Sequence, residues 1–300
     1  MLTGIAAGLA AGALWGMVFV VPRVSTGLTS MDMTAGRFIS YGGMAAVVMA
    51  WSWRQHKLPN WRQAGVAIGM SVLGATGYYL LLAQSIVDAG TEVPTLIIGT
   101  IPIWVMLLGK PLGLKWTAWL PGLLLTAAGL VVMMNVSLTQ LAQKHAGGSR
   151  FWWGVLMAIA AMACWTAFAL LNAAWLKRHP EVRATEWANW IGIATGLGSW
   201  FLWLFAGSEL KVLLALDNIA LAAMACIATG IGSAWAASIL WNIASQRLSV
   251  SLCGQLIVSE TLFALLYSFV WDRAWPATAQ WLAAALFTLG ILASIRAHRQ

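Results

Sequence analysis

The chain has 300 residues, of which 61% are hydrophobic and only 9% charged, against about a quarter charged in soluble domains. Its net charge of +8 comes from 17 basic and 9 acidic residues. This composition excludes an ordinary water-soluble domain and makes lipid the main solvent of the chain.

A hydrocarbon core of about 30 Å takes about 20 apolar residues of helix. In chain order, spans are expected near 2 to 22, 33 to 53, 64 to 87, 91 to 109, 116 to 135, 151 to 176, 187 to 206, 219 to 244, 249 to 271 and 277 to 295. Barrel strands would alternate apolar and polar residues over about ten positions, whereas residues 122 to 134 are apolar all round. The first span has no Lys or Arg ahead of it and no small-residue cleavage site followed by soluble sequence, so it reads as a retained helix and not a signal peptide.

Span one carries Gly8, Gly12 and Gly16, a spacing that lets helix backbones approach closely, and Trp15 in its interior. Arg37 stands four residues into span two, where its guanidinium can hold a carboxylate bidentately. The competing roles are snorkelling to headgroups and pairing with Asp32. Span three holds Tyr78, Tyr79 and Gln84. Span four holds Thr100, Pro102 and Trp104, and Pro102 breaks the helix ladder where Thr100 can satisfy freed backbone groups. Trp165 and Asn172 lie in span six, Gly192 and Gly196 in span seven, and Trp235, Trp241 and Asn242 in span eight.

Span nine contains Gln255, Ser259 and Glu260. Glu260 lies about twelve residues in, near the middle of the bilayer, where an ionised carboxylate costs several kcal/mol unless paired or hydrated. It fits a proton-coupling group or a partner for a ligand ammonium; the bland reading is a structural acid. The interior aromatics Trp15, Tyr78, Tyr79, Trp104, Trp165, Trp235 and Trp241 suit a cavity wall for aromatic or cationic ligands, or ordinary packing. Trp51, Trp53, Trp116, Trp119, Trp152, Trp153, Trp271, Trp275 and Trp281 lie at span ends and read as an interfacial belt. Gln84, Asn172, Asn242, Gln255 and Ser259 are expected to face inward, toward a ligand or toward neighbouring helices.

Counted by connection, Arg54, Lys57, Arg62, Lys110, Lys115, Lys177, Arg178, Arg183, Arg247, Arg296 and Arg299 fall on one side, eleven of the 17 basic residues. Arg23, Arg37, Lys144, Arg150, Lys211 and Arg273 fall on the other. Because cytoplasmic loops collect Lys and Arg, both termini are expected inside a plasma membrane of bacterial type. The positive charge then reports topology and not nucleic-acid binding. Cys164, Cys226 and Cys253 sit within apolar spans, where a thiol behaves as a small hydrophobe, and neither a disulfide nor a metal site is expected. His56, His145, His179 and His298 all fall in connections or tails, and with Glu260 the only mid-span carboxylate, no cofactor site or enzyme is expected.

Residues 10 to 15 read Ala-Ala-Gly-Ala-Leu-Trp and residues 160 to 165 read Ala-Ala-Met-Ala-Cys-Trp, four identities in six at a spacing of 150. A weaker correspondence runs from Tyr78 and Tyr79 through Pro102 against Ala234 and Trp235 through Glu260, at spacings of about 153 to 158. The expected fold is therefore an all-α polytopic membrane protein of ten helices, built as two inverted five-helix repeats, 1–136 and 151–300, joined by a polar loop at 137–150. Such repeats build alternating access around a midplane site in many transporters.

The ten spans, the repeat, the Ala-Leu-Trp-Gly of residues 13 to 16 and the Pro-bearing fourth helix resemble the drug/metabolite transporter superfamily, EamA type. Members usually carry a Pro in helix nine at the position matching Pro102, and this chain reads Val258-Ser259-Glu260-Thr261 there. The resemblance implies a single-chain exporter of small metabolites, and the aromatic content is similar to the aromatic amino-acid exporter branch. The expected site then comprises Trp15, Tyr78, Tyr79, Thr100, Pro102, Trp165, Trp235, Trp241, Asn242, Gln255, Ser259 and Glu260, with Arg37 as a charge partner. The expected ligand is an aromatic or hydrophobic amino acid. Efflux of lipophilic cations is the competing reading, followed by a channel or a membrane scaffold. The only partners expected are the substrate and the bilayer, with the chain a monomer or weak homodimer.

Overall fold

In lipid the backbone has no water to bond, so an apolar chain without strand-like alternation must satisfy its N–H and C=O groups within helices. The computed structural model describes residues 1–19, 27–51, 58–141, 149–273 and 275–299, and among these every regular element is helical. Arg23, Trp53, Arg54, His56, Lys57, Lys144 and His145, singled out above, lie outside the described residues.

The helices are α1 (Leu2–Gly16), α2 (Ser30–Trp51), α3 (Trp61–Ala89), α4 (Glu92–Gly99), α5 (Ile101–Leu108), α6 (Trp116–Leu141), α7 (Ser149–Arg178), α8 (Ala184–Ala206), α9 (Leu210–Leu214), α10 (Ile219–Arg247), α11 (Val250–Asp272) and α12 (Thr278–Ala297). Seven are long and apolar enough to cross a membrane: α1 with the 3-10 turn that follows it, α3, α6, α7, α10, α11 and α12. The expected loop at 137–150 is shorter than its polarity suggests, because α6 continues to Leu141.

Local chemistry sets several boundaries. Asn60 and Gln63 form a reciprocal capping box at the start of α3, with bonds of 2.9 and 3.0 Å. Gly90 ends α3 at φ 77°, a conformation that a side chain would strain. Pro102 has no N–H to give, and Thr100 both ends α4 and begins α5, its hydroxyl donating to Ile97 O at 2.7 Å. The two 29-residue helices α3 and α10 each contain a π-helical turn, at Val72–Thr76 and Gly230–Ala236.

Small residues mark the crossings, as expected where lipid gives helices no hydrophobic reason to associate. A Cβ on Gly42 of α2 would lie 2.7 Å from the Gly196 Cα of α8. Beside that crossing, Tyr41 donates to Ala188 O at 2.7 Å. Gly8, Gly12 and Gly16 set α1 against Leu256, Ser259 and Ala264 of α11. Gly154 of α7 abuts Ala89 of α3, where Ser85 donates to Gly154 O at 2.7 Å.

The packing follows a pattern. Helix α1 lies on α11 and the second half of α10, and α7 lies on α4 and the second half of α3. Helix α2 lies on α8 and the first half of α10, and α8 lies on the first half of α3. The remaining pair, α6 and α12, pack on each other.

One tryptophan assigned to the belt is buried. Trp119 is 1% exposed and donates to Ser251 Oγ at 2.8 Å, because the first turn of α11 supplies an acceptor that the α6 sequence does not reveal. Trp51, Trp116, Trp152, Trp153, Trp271, Trp275 and Trp281 are exposed at helix ends.

Candidate functional site

Glu260 is the eleventh of the 23 residues of α11, and Arg37 the eighth of the 22 residues of α2. Tyr78 and Tyr79 open the second half of α3, directly after its π turn, and Trp235 lies within the π turn of α10. These elements converge. Arg37 Nη1 donates to Tyr79 Oη at 3.2 Å, and its guanidinium carbon stands 5.3 Å from the Phe38 ring centroid. Tyr79 meets Phe38 and Tyr78 edge-on, at 5.1 Å in each case. Glu260 lies within electrostatic range of Arg37 and Tyr78, and among the described residues it makes no ion pair with Arg37.

Two buried donors at this cluster lack partners. One is Arg37 Nε, and the other is the Nδ2 of Asn189, whose Oδ1 accepts from Trp235 Nε1 at 2.8 Å. Trp235, Tyr79 and Phe38 share one apolar cluster with Tyr41. Asn189 was not among the residues selected from the sequence, although an amide inside an apolar stretch was signal enough to include it.

The other selected residues occupy different surroundings. Trp15, Trp165 and Trp241 form a triad joining α1, α7 and α10, with ring centroids 5.3 to 6.5 Å apart. Trp241 is 2% exposed, so its ring is committed to packing. Asn242 Oδ1 accepts from Asn172 Nδ2 at 3.1 Å while its own amide donates to Ala184 O. Gln255 Nε2 donates to Thr126 Oγ1 at 2.6 Å, and Gln255 Oε1 accepts from Ser294 at 3.0 Å. Ser259 donates to Leu256 O and abuts Gly12.

Asn242, Gln255 and Ser259 therefore stand as ties within and between helices, the neighbouring-helix alternative of their expected inward placement. Thr100 and Pro102 sit at the α4–α5 break, where Thr100 Oγ1 also approaches Met162 Sδ at 3.2 Å. Arg37 is not paired with Asp32, whose carboxylate instead accepts from Thr29, Ser208 and Trp203.

A cavity of about 90 Å³ lies between α2, α3 and α8, walled by Thr34, Phe38, Thr76, Tyr79, Ala83 and Ser199 among others. Of the selected residues, only Tyr79 lines it. A second cavity, of about 300 Å³, runs along α2 and α10 beside Asp32, Trp203 and Cys226.

No family model matches the chain. The chain is similar to the inner membrane protein YtfF of Escherichia coli (strain K12), at 28% identity over 322 residues, covering 99% of this chain and 96% of that protein. A crystal structure of a protein 20% identical in sequence has the same fold, with a TM-score of 0.78 over 97% of this chain and 98% of that one. With this relative and its apolar helices, the chain is a multi-pass inner-membrane protein.

Proposed function

We propose that this protein is a secondary transporter exporting small amphipathic metabolites, amino acids with apolar side chains, by alternating access. The observation that carries the reading is Arg37, a cation within α2 whose Nη1 donates to Tyr79 Oη at 3.2 Å while its buried Nε has no partner among the described residues; Glu260 of α11 is the ionisable group of opposite sign that acts on it. Charged groups inside a membrane are costly and mark ligand or ion pathways. A zwitterion placed between them completes both. Its carboxylate takes the fork of Arg37, including the unpartnered Nε, and its ammonium faces Glu260. A lipophilic cation fits less well, because Arg37 repels it.

The architecture supports the same reading. With α2, α8 and the α4–α5 pair added to the seven long apolar helices, ten segments cross the membrane, and the contacts repeat across the halves. The packing of α1 on α10 and α11 matches that of α7 on α3 and α4, and the π turns of α3 and α10 lie about 158 residues apart. Five helices per half invert the second copy, the arrangement that lets halves rock about a midplane site. The basic residues then put both termini in the cytoplasm. One end of the path closes near Asp88 to Thr91 and the other near Arg247. Export as the direction follows from the resemblance to EamA-type transporters, and Glu260 is the group through which a proton gradient would act. No catalytic residue is assigned.

Counterflow in liposomes containing the purified protein tests this, with labelled leucine, phenylalanine and tryptophan beside methyl viologen and empty liposomes as control. Saturable amino-acid flux, reduced at least about tenfold in Arg37→Ala by loss of a charged bond, is the expected result. Flux of methyl viologen alone would sink the amino-acid reading. Glu260→Gln with unchanged pH-dependent flux would remove proton coupling.

A further inference from the structure

The 90 Å³ cavity has apolar walls set with the hydroxyls of Thr34, Thr76 and Ser199, and two of its walls are the Phe38 and Tyr79 rings. Arg37 does not line it, but it reaches the same two rings, donating to Tyr79 Oη and covering Phe38. Tyr79 therefore stands between an apolar hole and a charged head-group site.

The size of the hole restricts what enters it. Its 90 Å³ is below the dry cavity of about 150 Å³ that accommodates benzene. A branched aliphatic side chain therefore suits it better than a phenyl or indole ring. Trp15, Trp165 and Trp241 pack on one another and do not line this cavity.

We infer that this cavity is the side-chain subsite of the transported amino acid, that it selects short aliphatic side chains over aromatic ones, and that Tyr79 is the specificity-determining residue dividing it from the Arg37 and Glu260 head-group site. The inference rests on the transport reading and names its substrate class. It replaces the aromatic preference expected from tryptophan content, because a count of aromatic residues does not say whether their faces are free.

The test is a competition panel of valine, leucine, phenylalanine and tryptophan in the same counterflow assay, with thermal stabilisation of the purified protein as an independent binding readout. Valine or leucine should outcompete tryptophan by at least about tenfold, the discrimination that a few methylene groups of misfit produce. Leu202→Ala enlarges the cavity and should let phenylalanine gain about tenfold, and Ala83→Leu fills it and should remove the response to valine. If Ala83→Leu does not fold, the ratio in Leu202→Ala decides. Flux that prefers tryptophan and is unmoved by Leu202→Ala overturns the subsite and leaves transport standing. Stabilisation by valine without flux of any amino acid upholds the subsite and overturns transport, and neither stabilisation nor flux overturns both.

Discussion

Asp32 opens α2 with a carboxylate that accepts from Thr29 Oγ1 at 2.5 Å, Ser208 Oγ at 2.7 Å, Ser208 N at 2.9 Å and Trp203 Nε1 at 3.1 Å. These bonds fasten the start of α2 to the end of α8. Asp32→Ala leaves several partly buried donors without their acceptor, so melting in detergent should show a loss of about 1 kcal/mol. His298 follows α12, with Nδ1 2.7 Å from Ser294 O and Nε2 buried without a partner. Burial holds its imidazole below the ordinary histidine value, against the opposing pull of the Ser294 carbonyl. The unfolded chain then takes the proton more readily than the folded one, so stability is whole above about pH 6.5 and falls as pH drops below it. His298→Gln should flatten that acid limb in a series of melting curves. At this scale Arg37 and Glu260 stand out in the sequence because charge inside an apolar run has few explanations. For Gln255 the sequence leaves a ligand and a neighbouring helix equally open, since its partner Thr126 lies 129 residues away and amide donors look alike in either case.

At the level of whole helices, adjacent glycines on α2 have opposite meanings. Gly42 faces the backbone of Gly196 at 2.7 Å, while Gly43 has nothing within 4 Å of an added Cβ. Gly42→Ala must push α2 and α8 apart and should cost about 1 to 3 kcal/mol by overpacking. Gly43→Ala should be neutral or slightly stabilising, because alanine orders a helix better than glycine. Melting the two variants side by side checks both. The break at Thr100 could be read from Pro102, which cannot donate to a helix ladder. The π turns of α3 and α10 could not, since one extra residue per turn leaves no trace in composition. Trp119 shows a related limit: a tryptophan at a span end suits the interface, and only the arrival of Ser251 from another helix decides that it is buried.

For the whole molecule, the apolar pattern was enough to mark a helical protein with several membrane spans, and the packing that relates its helices needed coordinates, because contacts among Gly and Ala are not specific in sequence. Arg150 at the start of α7 bonds Asp88 at the end of α3, at 2.7 Å. Arg150 is largely exposed, so the pair contributes little to folding. Under the transport reading, Arg150→Ala should raise the labelling rate of a Ser85→Cys thiol by an impermeant reagent by up to about fivefold, the range of an exposed ion pair. The orientation proposed from the basic residues predicts that alkaline phosphatase fused after residue 300 stays inactive in cells, and an active fusion would reverse it. The tryptophan triad has an optical consequence. Three indoles held 5.3 to 6.5 Å apart, one from each of α1, α7 and α10, share their excited states. Any motion that parts those helices should change the near-ultraviolet circular dichroism, so the unlabelled protein carries its own spectroscopic ruler for such a motion.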